Sequence, residues 1–454
     1  MSPLDASFLY TENEFNHMHI AFVAIFEGPP PQGNEVEEMI SSKLDLVPRY
    51  RQKVRFVPFD LGQPVWSDDH HFDLQYHVRH TALPSPGSDE RLHTLVGRVM
   101  SQKLDRAKPL WEIWVVEGLS DGRWAMISKT HHCMADGVSG VDLLSVLLDS
   151  TPDLDHPPGG PWEPERRPSG LWLLGDSVVQ GFLRPSEGLR NLRKLVTTPA
   201  RALRELADLT DALSTFRSFT KNELESTLNG PIGPHRRWCH ASTTISEITK
   251  IRNAHGGTLN DVVLSAITQG FRSLLLSRGE PVDGLFVRTL IPVSVRSDEE
   301  RGTLNNRVAA MFADLPMEIA DPVERLQAIR KEMANLKEHH QADALETLNS
   351  LSDFSPPALL ALGARVFAGL EQHTVQTVTT NVPGPRQPLF AANRRMLEGY
   401  LYVPLAGSVR IGVAIFSYAG QLTFGVTGDY ESASDIDVLG AGIEAGITDL
   451  ISAS

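Results

Sequence analysis

Six prolines in the twenty residues from 151 to 170 interrupt this 454-residue chain, and on each side of them the hydrophobic pattern switches repeatedly between strand and helix periods. Proline lacks a backbone N–H and fixes its own φ, so such a run is barred from helix interiors and sheet ladders. It reads as a linker between α/β regions. Before it, Phe72, Leu74, Tyr76 and Val78 alternate with Asp73, Gln75 and His77, the period of two of a half-buried strand. Leu92, Leu95, Val96, Val99, Met100 and Leu104 then recur at helical spacing behind a cap at Ser88 or Asp89. Residues 111 to 117 and 123 to 129 predict two strands joined through Leu119-Ser120-Asp121-Gly122, with core positions for Trp111, Trp114 and Trp124. The second strand runs into His131, and the apolar residues between Val138 and Leu148 predict a buried helix. A His-rich segment therefore lies in a strand-to-helix connection, where α/β proteins present reactive side chains.

After the prolines, leucines between 171 and 228 predict amphipathic helices broken near Pro185 and Pro199. Arg184, Arg190, Arg193, Lys194, Arg201 and Arg204 stand there against one acid, Glu187. They suit either a solvated face or a contact with anionic lipid. A second α/β region starts near Arg236, with a helix from Thr258 to Leu276, a strand at 285 to 295, a helix at 322 to 338, and paired strands at 408 to 417 and 421 to 428 turning at Tyr418-Ala419-Gly420. The expected division is 1–160, a connecting segment 161–230, and 231–454, in keeping with a chain too long for one ordinary domain.

The formal net charge of −14 makes nucleic acid an unsuitable partner. Only Cys133 and Cys239 are present, so neither a disulfide framework nor a four-cysteine zinc site can form, and a reducing cytoplasm fits. The first residues lack the basic and apolar regions of a secretory signal, and no uninterrupted apolar run of about 18 residues suggests a membrane span.

The segment His131-His132-Cys133-Met134-Ala135-Asp136-Gly137 carries the chemistry. Histidine is the side chain best poised to take a proton from a hydroxyl near neutrality and hand it to a leaving group. Asp136 is placed to hold the backbone through a salt bridge, and Gly137 permits a tight turn. Other readings exist: a histidine pair can be surface or satisfied core, Cys133 beside His132 suggests a cysteine hydrolase, and His131, His132 and Asp136, or the run Asp68-Asp69-His70-His71, suggest a metal lacking a further ligand.

The string His-His-x-x-x-Asp-Gly resembles the motif of the bacterial wax ester synthase/diacylglycerol acyltransferase family. The resemblance continues in order through Pro3-Leu4-Asp5-Ala6, Pro109-Leu110-Trp111-Glu112, Asn229-Gly230-Pro231 with Arg236-Arg237, Asn260-Asp261, Ile291-Pro292-Val293-Ser294-Val295-Arg296 and Asn381-Val382-Pro383-Gly384-Pro385. Asn305 stands where the family more often has Gly, and Cys133 where a smaller residue is commoner. The resemblance implies a two-domain α/β fold of the CoA-dependent, chloramphenicol acetyltransferase-like type, each domain a mixed sheet flanked by helices, with the site in a channel between them. It implies His132 as general base, Asp136 turned away to support the loop, Arg296 as the ionic partner of Asp136, and His131 as a packing or hydrogen-bonding neighbour. Asn260 and Asp261 match a motif near the site but equally suit a helix first turn. Thr380 and Asn381 belong to an architectural turn or assist a substrate or the oxyanion.

The expected activity is esterification of diacylglycerol to triacylglycerol by acyl-CoA, or of long-chain alcohols to wax esters. Acyl-CoA serves as co-substrate, with no further cofactor and no metal. The protein is then expected in the cytoplasm, attached peripherally to the inner face of the membrane or to lipid droplets. Two alternatives are a condensation-type enzyme using a carrier-bound acyl donor and a non-catalytic lipid-droplet protein.

Overall fold

The computed structural model describes residues 1–58, 62–134, 146–152, 160, 162–165, 226–294, 308–336 and 374–454. Most of the predicted helix following the His-rich segment, most of the proline-rich stretch and the basic stretch at 184–204 lie outside the described residues; of that helix, Leu147 and Leu148 are described and buried. Two six-stranded mixed sheets organise the rest.

The first sheet is built mainly from β1 (His19–Phe26), β4 (Val78–Ala82), β5 (Trp111–Glu117) and β6 (Trp124–His131), while β2 (Gln52–Arg55) and β3 (Val65–Asp68) form a separate two-stranded ribbon. β4 and β5 are parallel; β5–β6 and β6–β1 are antiparallel. Around it lie α1 (Pro3–Thr11), α2 (Glu35–Lys43), the single turn α3 (Leu74–His77) and α4 (Asp89–Met100). One face carries a core with Phe22, Trp111, Trp124 and Cys133, and the other a core with Val23, Ile127, Trp238 and the apolar stripe of α4.

The second sheet has the order β7–β14–β13–β10–β8–β9, made of β7 (Arg236–Thr244), β8 (Phe286–Ser294), β9 (Val308–Pro316), β10 (Thr377–Pro383), β13 (Ile411–Tyr418) and β14 (Gln421–Asp429). β10 runs parallel to both β13 and β8. Helices α5 (Ile245–His255), α6 (Leu259–Ser277), α7 (322–336) and α8 (Ile436–Ser452) accompany it, and the core includes Val263, Phe271, Val413, Phe424 and Ile443. α6 begins on a capping box, in which Asp261 N–H donates to Thr258 Oγ1 at 3.2 Å and Thr258 N–H to Asp261 Oδ2 at 2.7 Å.

Two sequence expectations change. The segment 72–78 is not a continuous strand. Asp73 accepts the Gln75 N–H at 3.1 Å and caps a helical turn, and β4 starts only at Val78. Phe72 and Tyr76 are four apart as well as at alternating positions, so their spacing fits a helical turn too; the local cap decides between them. Residues 231–454 also do not keep to one sheet. β11 (Phe390–Ala391) and β12 (Arg394–Tyr402) complete the first sheet, with β12 antiparallel to β1 from Ala21↔Tyr402 to Phe26↔Met396. The polypeptide then returns to the second sheet as β13. Where the sheets meet, Thr423 Oγ1 donates to Gly399 O at 2.6 Å, and buried Arg236 donates to Phe15 O while its own N–H donates to Ser101 Oγ at 2.8 Å.

Candidate active site

β6 is buried along its whole length and delivers His131 and His132 at its end. There His131 lies opposite His19 on β1. His131 N–H donates to Leu110 O at 2.9 Å and His132 N–H to Met18 O at 2.8 Å, so strands on both sides fix the backbone of the pair. Residues His132–Met134 form one 3-10 turn. Within it Cys133 N–H donates to His131 Nδ1 at 3.1 Å.

The His132 ring is half-buried and packs against Phe8 of α1, centroids 3.9 Å apart and planes inclined by 30°. Burial pushes its pKa down to about 4, against a smaller upward pull from its own backbone carbonyl. That carbonyl contact falls outside hydrogen-bond geometry, and the enclosed Nδ1 has no other partner among the described residues. At neutral pH the ring is therefore unprotonated and offers a lone pair. His131 is buried and pushed down to about 4 as well, but its Nδ1 is taken by the Cys133 N–H. Burial drives the enclosed Cys133 thiol far above its ordinary range, so it is held protonated beside His132. A cysteine nucleophile requires the thiolate, which this environment suppresses.

Behind the pair lies a charged cluster. Glu12 Oε1 is 3.2 Å from His19 Nε2 and 3.8 Å from His131 Nε2, while Arg106 donates to Oε2 through Nε at 3.0 Å and Nη2 at 2.5 Å. The Glu12 side chain is only 3% exposed. Burial pushes this carboxyl up, but its close contact with His19 and the electrostatic pull of His131, His19 and the Arg106 guanidinium outweigh it and hold the group well below the usual carboxylate range.

Asp136, Gly137 and Arg296 lie outside the described residues. Asn260, in the first turn of α6, meets Asn381 on β10, whose Nδ2 donates to Asn260 Oδ1 at 3.4 Å. Asp261 serves the α6 cap. Thr380 lies on the opposite face of β10 from Asn381, because successive strand residues alternate. It shares the face of Val382, which packs on the cluster containing Cys133 and Phe416, whereas Asn381 shares the α6 side with Thr379.

The description "wax ester synthase/diacylglycerol acyltransferase catalytic domain" matches residues 1–263, and the corresponding C-terminal domain matches residues 304–450. The chain belongs to the wax ester synthase/diacylglycerol acyltransferase family. A probable diacylglycerol O-acyltransferase of Mycobacterium tuberculosis, tgs1, is 35% identical over 458 residues, covering 100% of this chain and 96% of the relative. A second from the same organism, tgs2, is 30% identical over 461 residues, covering 99% and 98%. Among solved structures, the wax ester synthase/diacylglycerol acyltransferase of Marinobacter aquaeolei VT8 superposes with a TM-score of 0.70 at 24% identity, covering 99% of this chain and 98% of that one. The trichothecene 15-O-acetyltransferase of Fusarium sporotrichioides superposes at 0.63 with 10% identity, covering 99% and 94%. The two mixed sheets with flanking helices are thus the expected acyltransferase fold, and this family member is an acyltransferase.

Sequence reasoning about the family motif missed Phe8, Glu12, His19 and Arg106. A faint signal was available: Phe8 and Glu12 are four residues apart and so share one face of α1, and His17 and His19 bring two histidines to the start of an otherwise apolar strand. Nothing local ties them to His131.

Proposed function

We propose that this acyltransferase esterifies diacylglycerol with the acyl group of acyl-CoA, forming triacylglycerol, and accepts long-chain alcohols as a second acceptor class, with His132 as general base. The observation that carries the reading is the His132 ring itself. It is half-buried, held neutral by its surroundings, and fixed at a strand end by backbone bonds on both sides. The names of the mycobacterial relatives support the acceptor class.

His132 takes the acceptor hydroxyl proton as that oxygen attacks the thioester carbon. The tetrahedral intermediate expels the CoA thiolate, and the imidazolium returns the proton to sulfur, leaving ester, free thiol and the base as it began. Holding both substrates against one base supplies part of the rate gain. No cofactor beyond the acyl-CoA co-substrate is required. We infer that Asp136 and Gly137 shape the loop beyond the turn, with Arg296 as the partner of Asp136, and that Thr380, with the Asn260–Asn381 pair behind it, lines the acceptor or oxyanion side. A donor bound to a carrier protein, or a non-catalytic lipid-coat role, is not favoured by these relatives.

The test is release of CoA thiol from palmitoyl-CoA with diacylglycerol or hexadecanol as acceptor, comparing parent with His132→Ala. Loss of about a hundredfold or more is expected on removing a general base. Equal rates in the two proteins would remove His132 from the chemistry. No helix among the described residues is long and apolar enough to cross a membrane. Since diacylglycerol resides in bilayers, we infer peripheral attachment to the inner membrane face or to lipid droplets from the cytoplasm. Sedimentation with anionic vesicles at low salt tests this, and protein remaining wholly in the supernatant would remove it.

A further inference from the structure

We propose that Glu12 is a positioning residue for the acyl transfer: its carboxylate holds His131 as the Nε2–H tautomer, and His131 in turn holds the turn that carries His132. This rests on His132 being the base and moves one step outward from the reacting atoms.

A backbone N–H can only donate, so the 3.1 Å contact from Cys133 N–H requires a lone pair on His131 Nδ1. A neutral imidazole then carries its single proton on Nε2. Nε2 faces Glu12 Oε1 at 3.8 Å, and the two side chains are 1% and 3% exposed, so little water screens them. In the other tautomer an Nδ1–H would meet the Cys133 N–H donor to donor, and an Nε2 lone pair would face a carboxylate. Both ends of the ring therefore select one tautomer.

The carboxylate is built to stay charged: Arg106 donates to Oε2 through Nε at 3.0 Å and Nη2 at 2.5 Å. Its placement is double. Glu12 is the C-cap of α1, and its backbone N–H donates to Phe8 O at 3.2 Å, while the Phe8 ring packs against His132. One face at the end of α1 thus reaches His132 through Phe8 and His131 through Glu12.

The experiment uses the whole chain and combines kinetics with nitrogen-15 NMR of labelled histidine, the His131 signals being assigned by their loss in His131→Asn. In the parent at pH 7, His131 Nδ1 should show the shift of an unprotonated nitrogen and Nε2 that of an N–H. The reverse assignment overturns the proposal and needs no variant to fold. Glu12→Gln should lower kcat at least about tenfold, in the range of lost outer-shell partners, with KM for palmitoyl-CoA within about twofold. His131→Asn leaves an amide oxygen to accept the Cys133 N–H whatever stands at position 12. In that background Glu12→Gln should cost less than about twofold, because its route to the site is gone. Equal losses in both backgrounds would show that Glu12 acts through the fold alone, and no loss in either would also sink the idea. An inactive His132→Ala alongside either of those results leaves the base assignment standing. An active His132→Ala overturns the base itself, and the role of Glu12 with it.

Discussion

A histidine works as a base only while its ring is neutral, and at His132 burial supplies that condition. The pKa is pushed down to about 4 from an ordinary 6.5, so the base is fully available above about pH 5 and is lost as pH falls through 4. Counting ester formed at saturating acyl-CoA, kcat should be flat from pH 8 to about 5.5. A fall already centred near pH 6.5 would show that the ring is not depressed. The same burial acts on stability with a fixed sign. His19, His77 and His131 are pushed down to about 3, 4 and 4, below the 6.5 of an unfolded chain. The unfolded state therefore binds more protons as pH drops below 6.5, and the stability these residues contribute above that pH is lost as it falls toward their folded values. The melting temperature should fall between pH 7 and 5, with each histidine contributing on the order of 1 kcal/mol. A melting temperature that held or rose would contradict the buried neutral state. At this scale the sequence marked His132 by its motif. It could not mark Glu12, because a carboxylate gains its role only when distant residues enclose it.

Among the elements, α6 is the one most fully written in the sequence. Thr258 and Asp261 are spaced for a capping box, and the apolar residues behind them keep the helical period to Ser277. Its partner was not legible. α8 packs across α6 so closely that a Cβ added to Gly270 would lie 2.8 Å from Leu439 O and 2.9 Å from Ile443 Cγ1. Helix propensity favours Ala over Gly by about 1 kcal/mol, but the crowded atom here is a backbone oxygen that can yield only if the helices part. Gly270→Ala should therefore destabilise by roughly 1–3 kcal/mol, as overpacking does; a rise in the denaturant midpoint would mean the helices separate without cost. The short β4 shows the converse. Its alternation began early in the sequence, but Asp73 captured the first residues for a turn.

Across the molecule, the crossing strand β12 joins the two sheets into one body. It lies in the first sheet, yet its Leu401 O sits where a Cβ on Gly425 of β14 would come within 1.8 Å. Backbone meets backbone there, beside the Thr423 to Gly399 hydrogen bond. Gly425→Ala should force the sheets apart, lowering both the melting temperature and acceptor-dependent thiol release, whereas a variant with parental values of both would show that the contact does not govern how the halves dock.

The sequence by itself determined the periodicities, the start of the helix at Thr258, the paired strands that became β13 and β14, and the placing of His131 and His132 at a strand end. Each depends on neighbours within a turn or a hairpin, where spacing and hydrogen-bonding groups are set locally. Only the tertiary structure decided that β12 belongs to the first sheet, that Thr380 and Asn381 face opposite ways, and that Phe8, Glu12 and Arg106 surround the histidines. An apolar strand carries the same pattern whichever sheet edge it joins, and a buried charge is tolerated only where remote residues supply its partners.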